Sequence, residues 1–583
     1  PTKTTPEQAS AERRDPPPMV LRGLTLALIS CLLRPITAGK STSNATGRSS
    51  SSIVHLQNDG DCDPFPELTQ WFPRTTGVLP DSFFNLLQNS LHFTGVFYDL
   101  DNDHQPEYIH HLHNVDAHGN TYVVAKYNPN TDEFSRVNVN WEVTQPFGTS
   151  DFDSHGLAIC DLNKDGLHDY VANTGAAFGT LSGPFFWAEL YLGQPLQPGE
   201  IWAPKGGQRE GGQRGLDNWD GAGRGRTILV ADFNGDSELD VLYMNEVREA
   251  EPDAPAFLAY NDGNSRWNKD LLLKEYFRNG IIYDDQDNGQ VLLAVRDTDC
   301  NECCSCGGRK GQIEEMRMVM YKWNQGSQRM DLIAMSEEQA PFSQFLDALD
   351  IDGDQKLDVF QYGRNGRLRT FLTSAKKPGD SIISRVTDEV PLPCCNYDMG
   401  MAVVADLNLD GSYEIFALYT ERRSNRIAPR PVMMVLYNQT HAAPTRPQWQ
   451  EVQRVENYFT AQSRITDIGL MDYNSDGFLD IIASDERARV PYLFKNMFAT
   501  EGCNRPNFVA VVLKGTVSNI YGIGATLKLT VSGMGPNGGE TKVFVRGVKR
   551  VTSLGTNRGG TDENRIVFGL GHTGVVEKLE ITW

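Results

Sequence analysis

A nine-residue pattern recurs six times along the chain and constrains its fold more than any other feature. We number the copies loops 1 to 6 and the residues within each copy positions 1 to 9. The copies read DLDNDHQPE at 99–107, DLNKDGLHD at 161–169, DFNGDSELD at 232–240, DIDGDQKLD at 350–358, DLNLDGSYE at 406–414 and DYNSDGFLD at 472–480. Positions 1, 3, 5 and 9 carry an oxygen-bearing side chain in every copy, which is the spacing that one tight loop needs to surround a hard cation.

The predicted ligands are the side chains at positions 1, 3, 5 and 9 and the backbone carbonyl at position 7. The candidates are Asp99, Asp101, Asp103 and Glu107; Asp161, Asn163, Asp165, Leu167 and Asp169; Asp232, Asn234, Asp236, Glu238 and Asp240; Asp350, Asp352, Asp354, Lys356 and Asp358; Asp406, Asn408, Asp410, Ser412 and Glu414; Asp472, Asn474, Asp476, Phe478 and Asp480. Calcium suits such flexible oxygen sites, whereas magnesium needs a tighter octahedron and zinc prefers His or Cys. The alternative is a set of metal-free turns, because Asp and Asn favour turns in any case.

Position 6 differs between the copies. Gly166, Gly411 and Gly477 occupy it in loops 2, 5 and 6, where glycine permits a sharp turn without a Cβ penalty. The other three loops have His104, Ser237 and Gln355 at this position. We therefore expect those three turns to be strained or to have a different shape.

Short apolar runs flank the loops and predict a repeating unit of strand, loop and strand. ILVAD at 228–232 precedes loop 3 and VLYM at 241–244 follows it. These runs have the length and composition of strands, which excludes the helix-flanked EF-hand. The interval between loops 3 and 4 is nearly doubled, so a degenerate seventh copy is predicted at Asp297, Asp299 and Asn301. Whether that copy binds metal stays open.

Seven strand-rich units of about 60 residues indicate a radial or linear β array. The predicted fold is all-β: a seven-bladed β-propeller with calcium-binding loops, followed by a small C-terminal β-rich domain. Closure into a ring removes exposed strand edges, whereas an open solenoid, the alternative, would have to cap them.

Two stretches of the chain resemble known families. HGLAICDLNKDG at 155–166 and MGMAVVADLNLDG at 399–411 are similar to the FG-GAP or VCBS repeats of integrin-α-type propellers. Near the C-terminus, YGIGATLKL at 521–529, KVFVRG at 542–547 and NRIVFGLGHTGVVEKLEITW at 564–583 resemble the ASPIC/UnbV domain. The combination is similar to the cartilage acidic protein family.

The resemblance implies two domains, a propeller over residues 61–502 and an ASPIC/UnbV-like domain over 503–583. Upstream of them, residues 1–18 are polar and proline-rich. From Met19 the chain has a basic residue, a ten-residue apolar run and small residues before Lys40, which predicts a secretory signal peptide over 19–39. An uncleaved anchor is the alternative, but ten apolar residues are too few to span a bilayer. Residues 40–60 are then a linker.

The formal net charge of −21 argues against nucleic acid and anionic membrane surfaces as partners. The six loops carry much of this charge at their ligand positions. Six bound calcium ions would bring the net charge to about −9, and without metal the carboxylates would repel one another. We expect a less stable chain in the absence of calcium.

Nine of the ten cysteines lie beyond the predicted signal peptide, so at least one is free or pairs between chains. Cys160 precedes loop 2 in an apolar strand and is predicted to be a buried thiol. The CNECCSC cluster at 300–306 and the adjacent Cys394 and Cys395 favour disulfides in a secreted protein. Zinc is the alternative, although no second cysteine pair lies at the spacing of a zinc ribbon.

Two other features are candidate sites. The histidines of IHHLH, His110, His111 and His113, could serve metal or catalysis with Tyr108, or could simply lie on a blade strand. The Gly-rich and Arg-rich segment 205–226 contains Trp219 and is predicted to be a long surface loop. This loop could bind a partner or be a flexible insertion.

The predicted function is that of a secreted, calcium-binding adhesion, binding or matrix protein whose ligand is an extracellular protein or glycan. Its cofactor is Ca²⁺, it does not insert directly into membranes, and no nucleophile elbow or HExxH motif points to catalysis. Similar calcium propellers occur in some polysaccharide lyases and sugar dehydratases, so a carbohydrate-active enzyme is the alternative. An integrin-like receptor ectodomain is a third possibility.

Overall fold

A computed structural model describes most of the chain from residue 67 onwards. The described residues are 67–75, 95–101, 103, 105–111, 122–137, 139, 154–174, 188–193, 195–196, 198, 200–205, 224–246, 255–261, 263, 267–270, 275–285, 287–297, 317–337, 343–363, 367–377, 379–384, 386–391, 397–421, 432–440, 448–459, 465–485, 490–498, 506–515, 519–534, 539–548, 553–554, 565–572 and 574–582. Within them lie 34 strands, one short helix, α1 (Leu68–Trp71), and two 3₁₀ turns, Thr373–Ala375 and Ile382–Ser384. The all-β prediction is confirmed.

Within the described residues, seven antiparallel sheets built on four strands each follow one another along the chain, and C-terminal strands extend the second and the fifth. The first four sheets consist of β2 (Val96–Tyr98), β3 (Glu107–His111), β4 (Tyr122–Asn128) and β5 (Glu133–Arg136); β6 (Ser154–Cys160), β7 (Asp169–Thr174), β8 (Ala188–Gly193) and β9 (Pro204–Lys205); β10 (Arg224–Ala231), β11 (Asp240–Glu246), β12 (Phe257–Asn261) and β13 (Trp267–Asp270); β14 (Tyr276–Asp285), β15 (Gly289–Asp297), β16 (Met318–Asn324) and β17 (Arg329–Met335). The other three consist of β18 (Ser343–Leu349), β19 (Asp358–Gly363), β20 (Arg367–Phe371) and β21 (Asp388–Pro391); β22 (Tyr397–Ala405), β23 (Glu414–Glu421), β24 (Val432–Thr440) and β25 (Gln448–Phe459); and β26 (Ile465–Met471), β27 (Asp480–Asp485), β28 (Val490–Phe494) and β1 (Arg74–Thr75).

The N-terminal strand completes the seventh sheet. β1 pairs antiparallel with β28, with Arg74 opposite Phe494. The helix α1 precedes it, and the indole nitrogen of the fully buried Trp71 donates a 2.7 Å hydrogen bond to Asn496 Oδ1. The amide of Met497 donates to the carbonyl of Trp71 at 2.8 Å. These bonds join the start of the described chain to the end of its last repeat.

Each sheet packs against the next through apolar side chains. Separate cores join the fourth sheet to the fifth, the fifth to the sixth and the sixth to the seventh, while one larger core spans the first four sheets. Another core joins the seventh sheet to the first, where the rings of Tyr127 and Tyr473 lie 4.9 Å apart edge to face. The packing order of the sheets is therefore cyclic.

The six loops all connect the first strand of a sheet to its second, and position 9 is the first residue of that second strand. The fourth sheet has a tight turn at this junction instead, with Asp285 opposite Gly289. The prediction of a seventh copy starting at Asp297 is therefore wrong in position, since Asp297 ends β15 and pairs with Tyr276. Asp299 and Asn301 lie outside the described residues.

Six further strands follow the seven sheets. They are β29 (Asn507–Val512), β30 (Thr526–Met534), β31 (Glu540–Gly547), β32 (Ser553–Leu554), β33 (Arg565–Gly571) and β34 (Val575–Thr582). Two of them join earlier sheets, because β32 pairs with β6 and β31 meets β18 at Leu349 and Arg546. Apolar residues of this segment belong to the large core of the first four sheets. The C-terminal segment thus packs directly onto the repeats.

Candidate metal centre

Each loop is shaped by its own carboxylates. In loop 2, Asp161 accepts hydrogen bonds from the amides of Asp165 (3.1 Å) and Gly166 (2.8 Å). The position-5 carboxylate continues the pattern, since Asp165 Oδ1 accepts the amide of Leu167 at 2.8 Å. Loop 6 repeats this arrangement, with Asp472 accepting the amides of Asp476 and Gly477. Backbone amides of the turn therefore hold the position-1 carboxylate in both loops and the position-5 carboxylate in loop 2.

In each of loops 2 to 6, positions 4 and 6 have the left-handed backbone conformation, and one of these two positions is glycine. Gly166, Gly411 and Gly477 have positive φ at position 6, with a non-glycine residue at position 4. In loops 3 and 4 the glycine lies at position 4 instead, as Gly235 and Gly353, and position 6 is not glycine. Ser237 (φ 74°) and Gln355 (φ 68°) then adopt the left-handed conformation at position 6, so these turns share the common shape and carry strain. His104 lies outside the described residues.

Replacing Ser237 by glycine should raise the free energy of unfolding by about 0.5–1 kcal/mol, because glycine adopts a positive φ without a Cβ penalty. Its amide would still donate to Asp232 Oδ2, as it does at 2.7 Å. Urea unfolding measures the effect. Ser135→Gly is the matched control, since Ser135 is exposed within β5 and glycine there should lower stability by a similar amount. Equal losses from both substitutions would contradict the strain at Ser237.

The position-9 carboxylates are the most deeply buried members of the set. Glu107, Asp169, Asp240, Asp358, Glu414 and Asp480 are all fully buried. In loop 2 the amide of Leu162 donates to one oxygen of Asp169 at 2.8 Å and the amide of Gly193 donates to the other at 2.7 Å. Asp240 and Asp358 accept matching pairs of amides. Position 9 therefore ties the loop to the end of the third strand, a structural role that its spacing alone did not indicate.

Burial raises the pKa of these groups above their usual range. It raises the pKa of Asp169 to about 7 and the pKa values of Asp240 and Asp358 to about 8, although the backbone amides oppose the change. Neighbouring loop carboxylates add to the shift in each case. At position 1, burial likewise raises the pKa of Asp350 to about 7, with Asp354 contributing. A bound cation would offset both causes.

Two buried oxygens in loop 5 fit a cation. Asp406 Oδ1 and Glu414 Oε1 make no hydrogen bond of standard geometry within the described residues. Asp406 is 7% exposed and Glu414 is fully buried, and burial raises the pKa of Glu414 despite the amides of Leu407 and Asn408. A buried carboxylate oxygen without a donor is costly, so loop 5 is suited to an oxygen-seeking ion.

Loops 1 and 4 carry Asp rather than Asn at position 3, and in each the carboxylates converge. Oxygens of Asp99, Asp101 and Glu107 lie within 4.8 Å of one another, as do those of Asp350, Asp352 and Asp358. Ser374 donates a hydrogen bond to Asp352 in loop 4. In loop 1 the ammonium of Lys126 contacts Asp101, Asp103 and Glu107. In loops 2, 3, 5 and 6 the Asn side chain donates to the position-5 carboxylate instead.

The C-terminal segment contacts the loops with residues that the repeat pattern did not reveal. Arg565 pairs with Asp472 Oδ2 at 2.9 Å and donates to its carbonyl at 2.9 Å. Arg546 lies over the ring of Tyr413, 4.7 Å from its centroid. The amide of Asp161 donates to the hydroxyl of Tyr521 at 2.7 Å. These contacts join residues about 90 to 360 positions apart in sequence, so local spacing carried no signal for them.

The C-terminal segment approaches loops 5 and 6 closely at one glycine of each loop. A Cβ added to Gly411 would lie 2.7 Å from the ring of Phe544, and one added to Gly477 would overlap the ring of Phe508. Both glycines therefore serve the left-handed turn and the contact with the C-terminal segment. Position 6 of loops 5 and 6 has two reasons to be glycine.

Of the other candidate residues, some are buried in the core, some lie on β3, and the rest are not among the described residues. Cys160 is a fully buried free thiol, as predicted. Tyr108 is also fully buried, and its hydroxyl accepts the amide of Gly95 at 3.1 Å, which places it in the core rather than in a cleft. His110 and His111 lie on β3, opposite Val123 and Tyr122. His113, the other cysteines and residues 206–223 lie outside the described residues, as does the predicted signal peptide.

No protein-family model matches the chain, and no curated protein matches it. Three solved structures resemble parts of it. A GDP-Man-dependent mannosyltransferase from Leishmania mexicana has 10% identity and a TM-score of 0.23, covering 48% of this chain and 89% of its own. A GH43 β-1,3-galactosidase has 10% identity and a TM-score of 0.27, covering 63% and 95%. BBS1N, solved in complex with ARL6DN, has 11% identity and a TM-score of 0.23, covering 57% and 93%. Likenesses at these scores carry no argument about fold or function.

Proposed function

We propose that this protein is a secreted, calcium-stabilised β-propeller that acts as an extracellular binding, adhesion or matrix protein. The seven consecutive four-stranded sheets would be the blades, and the cyclic packing order supports closure into a ring. On this view the repeats are of the FG-GAP or VCBS type, and the C-terminal strands form an ASPIC/UnbV-like domain.

The observation that carries the calcium assignment is the pair of buried oxygens in loop 5, Asp406 Oδ1 and Glu414 Oε1. Backbone amides donate to the other oxygens of Asp406 and Glu414, to Asn408 Oδ1 and to Asp410 Oδ1, and the Asn408 side chain donates to Asp410 Oδ2. Residues of positions 1, 3, 5 and 9 would hold the ion, with the carbonyl of position 7 as a further ligand. When bound, calcium would neutralise carboxylates that otherwise repel one another.

Calcium in this account is structural rather than catalytic. The loops lie at the first-to-second strand junctions, and Asp161, Tyr413 and Asp472 contact the C-terminal segment. Ions bound there would stiffen the strand junctions and the surface on which the C-terminal segment packs. A partner, an extracellular protein or glycan, would then bind a surface of fixed shape.

The burial of Tyr108 weakens the alternative of a carbohydrate-active enzyme, because Tyr108 was one of its candidate catalytic residues. Tyr108 is buried among the aromatic rings of Phe97 and Phe134, where it cannot reach a substrate. No helix in the described part of the chain is long and apolar enough to cross a membrane.

A defined binding panel tests the function. The chain is expressed with its own N-terminus in a secreting cell line, recovered from the medium, and applied to arrays of purified glycans and matrix proteins in millimolar calcium or EDTA. We expect recovery from the medium and binding to one class of ligand that EDTA abolishes. Retention inside the cells, or binding to none of the panel by calcium-loaded protein, would contradict the proposal. Cleavage of a polysaccharide in the same arrays would favour the enzyme instead.

A further inference from the structure

In loop 1, a lysine ammonium from outside the loop contacts three of the predicted ligands. Its four ligand positions all carry carboxylates, Asp99, Asp101, Asp103 and Glu107. Oxygens of Asp99, Asp101 and Glu107 converge within 4.8 Å, a spacing that would suit a metal ion. A side chain from outside the loop reaches the same carboxylates: Lys126, on the third strand of the first sheet.

The ammonium of Lys126 lies at the centre of these carboxylates. Its Nζ is 2.5 Å from Asp101 Oδ2, 2.8 Å from Asp103 Oδ2 and 2.8 Å from Glu107 Oε1. The ammonium donates a hydrogen bond to Asp101 Oδ2 and lies at ion-pair distance from the other two carboxylates. The distance to Asp101 falls within the range of roughly 2.3–2.6 Å between calcium and its oxygen ligands, and the other two are slightly longer.

The surroundings of Lys126 favour a permanent contact over an occasional surface ion pair. Its side chain is 21% exposed and that of Glu107 is fully buried. A lysine ammonium is positively charged throughout the neutral range. A calcium ion at the same centre would face that charge at contact distance.

The cations near other loops are placed differently. Arg565 meets loop 6 through Asp472, pairing with one carboxylate oxygen and donating to the carbonyl of the same residue. Lys164 of loop 2 pairs with Glu238 of loop 3, a position-7 side chain that is not a predicted side-chain ligand. Arg565 thus contacts one predicted carboxylate ligand and Lys164 contacts none, whereas Lys126 contacts three.

We propose that Lys126 replaces the metal ion in loop 1, so that this loop is held together without calcium while loops 2 to 6 require it. This inference rests on the proposed calcium function of the other loops. We therefore expect five bound ions for the six loops. Loop 1 should also keep its shape when calcium is withdrawn.

Native mass spectrometry of the intact chain, with calcium counted for each variant, tests the inference. Asp354→Asn in loop 4 should lose one ion, because position 5 is Asp in every loop, whereas Asp103→Asn in loop 1 should lose none. Lys126→Gln should gain one ion because it uncovers the three carboxylates that Lys126 contacts. Lys322→Gln is the matched control, since Lys322 is an exposed lysine on the third strand of the fourth sheet, and its count should not change.

The outcomes separate this inference from the function on which it rests. Loss of one ion from both Asp103→Asn and Asp354→Asn would overturn the role of Lys126 and leave the calcium function intact. A wild-type chain that binds no calcium would overturn both. If Lys126→Gln does not fold, the comparison of Asp103→Asn with Asp354→Asn still decides the matter, because each removes one loop carboxylate and keeps its size.

Discussion

Replacing Trp71 by alanine should lower the free energy of unfolding by about 3–5 kcal/mol, the range for removing a large buried aromatic side chain. Trp71 is fully buried, and its ring lies 5.2 Å from the rings of both Phe72 and Phe498. Its carbonyl accepts the amide of Met497, so the loss of packing would also loosen the contact between the two ends of the repeat array.

Two further variants separate packing from hydrogen bonding. Trp71→Phe keeps most of the ring contact and loses the bond to Asn496, so it should cost about 1–3 kcal/mol. Leu332→Ala is the control, since Leu332 is 45% exposed on β17 and should change stability by less than about 0.5 kcal/mol. Urea unfolding measures all three. A Trp71→Ala chain within about 1 kcal/mol of wild type would mean that α1 does not hold the seventh sheet closed.

The second large effect is a pH dependence that runs opposite to ordinary acid denaturation. In EDTA, stability should fall as the pH rises from about 4 to about 8. Asp169, Asp240 and Asp358 have folded-state pKa values of about 7 to 8, raised mainly by burial, whereas unfolded Asp titrates near pH 4. The folded state therefore binds protons more tightly than the unfolded state, and its stability is lost as those protons leave.

Calcium should reverse this trend, because the ion stabilises the ionised carboxylates and binding requires them to be deprotonated. Each unit by which a pKa is raised corresponds to about 1.4 kcal/mol, so several such groups together should shift the melting temperature by many degrees. Thermal unfolding across this pH range, in EDTA and in millimolar calcium, measures the effect. Parallel pH profiles in the two conditions would contradict the coupling between the carboxylates and the ion.

The repeat pattern predicted the local structure of the loops well because its information is local. Oxygens at positions 1, 3, 5 and 9 and short apolar flanks were enough to place each loop between two strands. The same reasoning misplaced the seventh copy. It followed the alternating Asp297, Asp299 and Asn301, whereas the equivalent junction is the tight turn between Asp285 and Gly289, which lacks the nine-residue pattern.

What the sequence could not reveal depends on contacts between distant segments. Lys126 lies on a separate strand from loop 1, and Arg565 is about 90 residues from Asp472. The exchange of glycine between positions 4 and 6 is local, yet only the backbone angles show that Ser237 and Gly166 adopt the same conformation. The two amides held by Asp169 likewise depend on the strand that ends at Gly193.

The central claim is that loops 2 to 6 are structural calcium sites, and the most direct test is one calcium titration of the intact chain. Thermal unfolding is followed in EDTA and in rising calcium at neutral pH, and bound ions are counted by native mass spectrometry. We expect one bound ion for each of these five loops and a large rise in melting temperature as they fill. An identical melting temperature with and without calcium, and no bound ions, would contradict it.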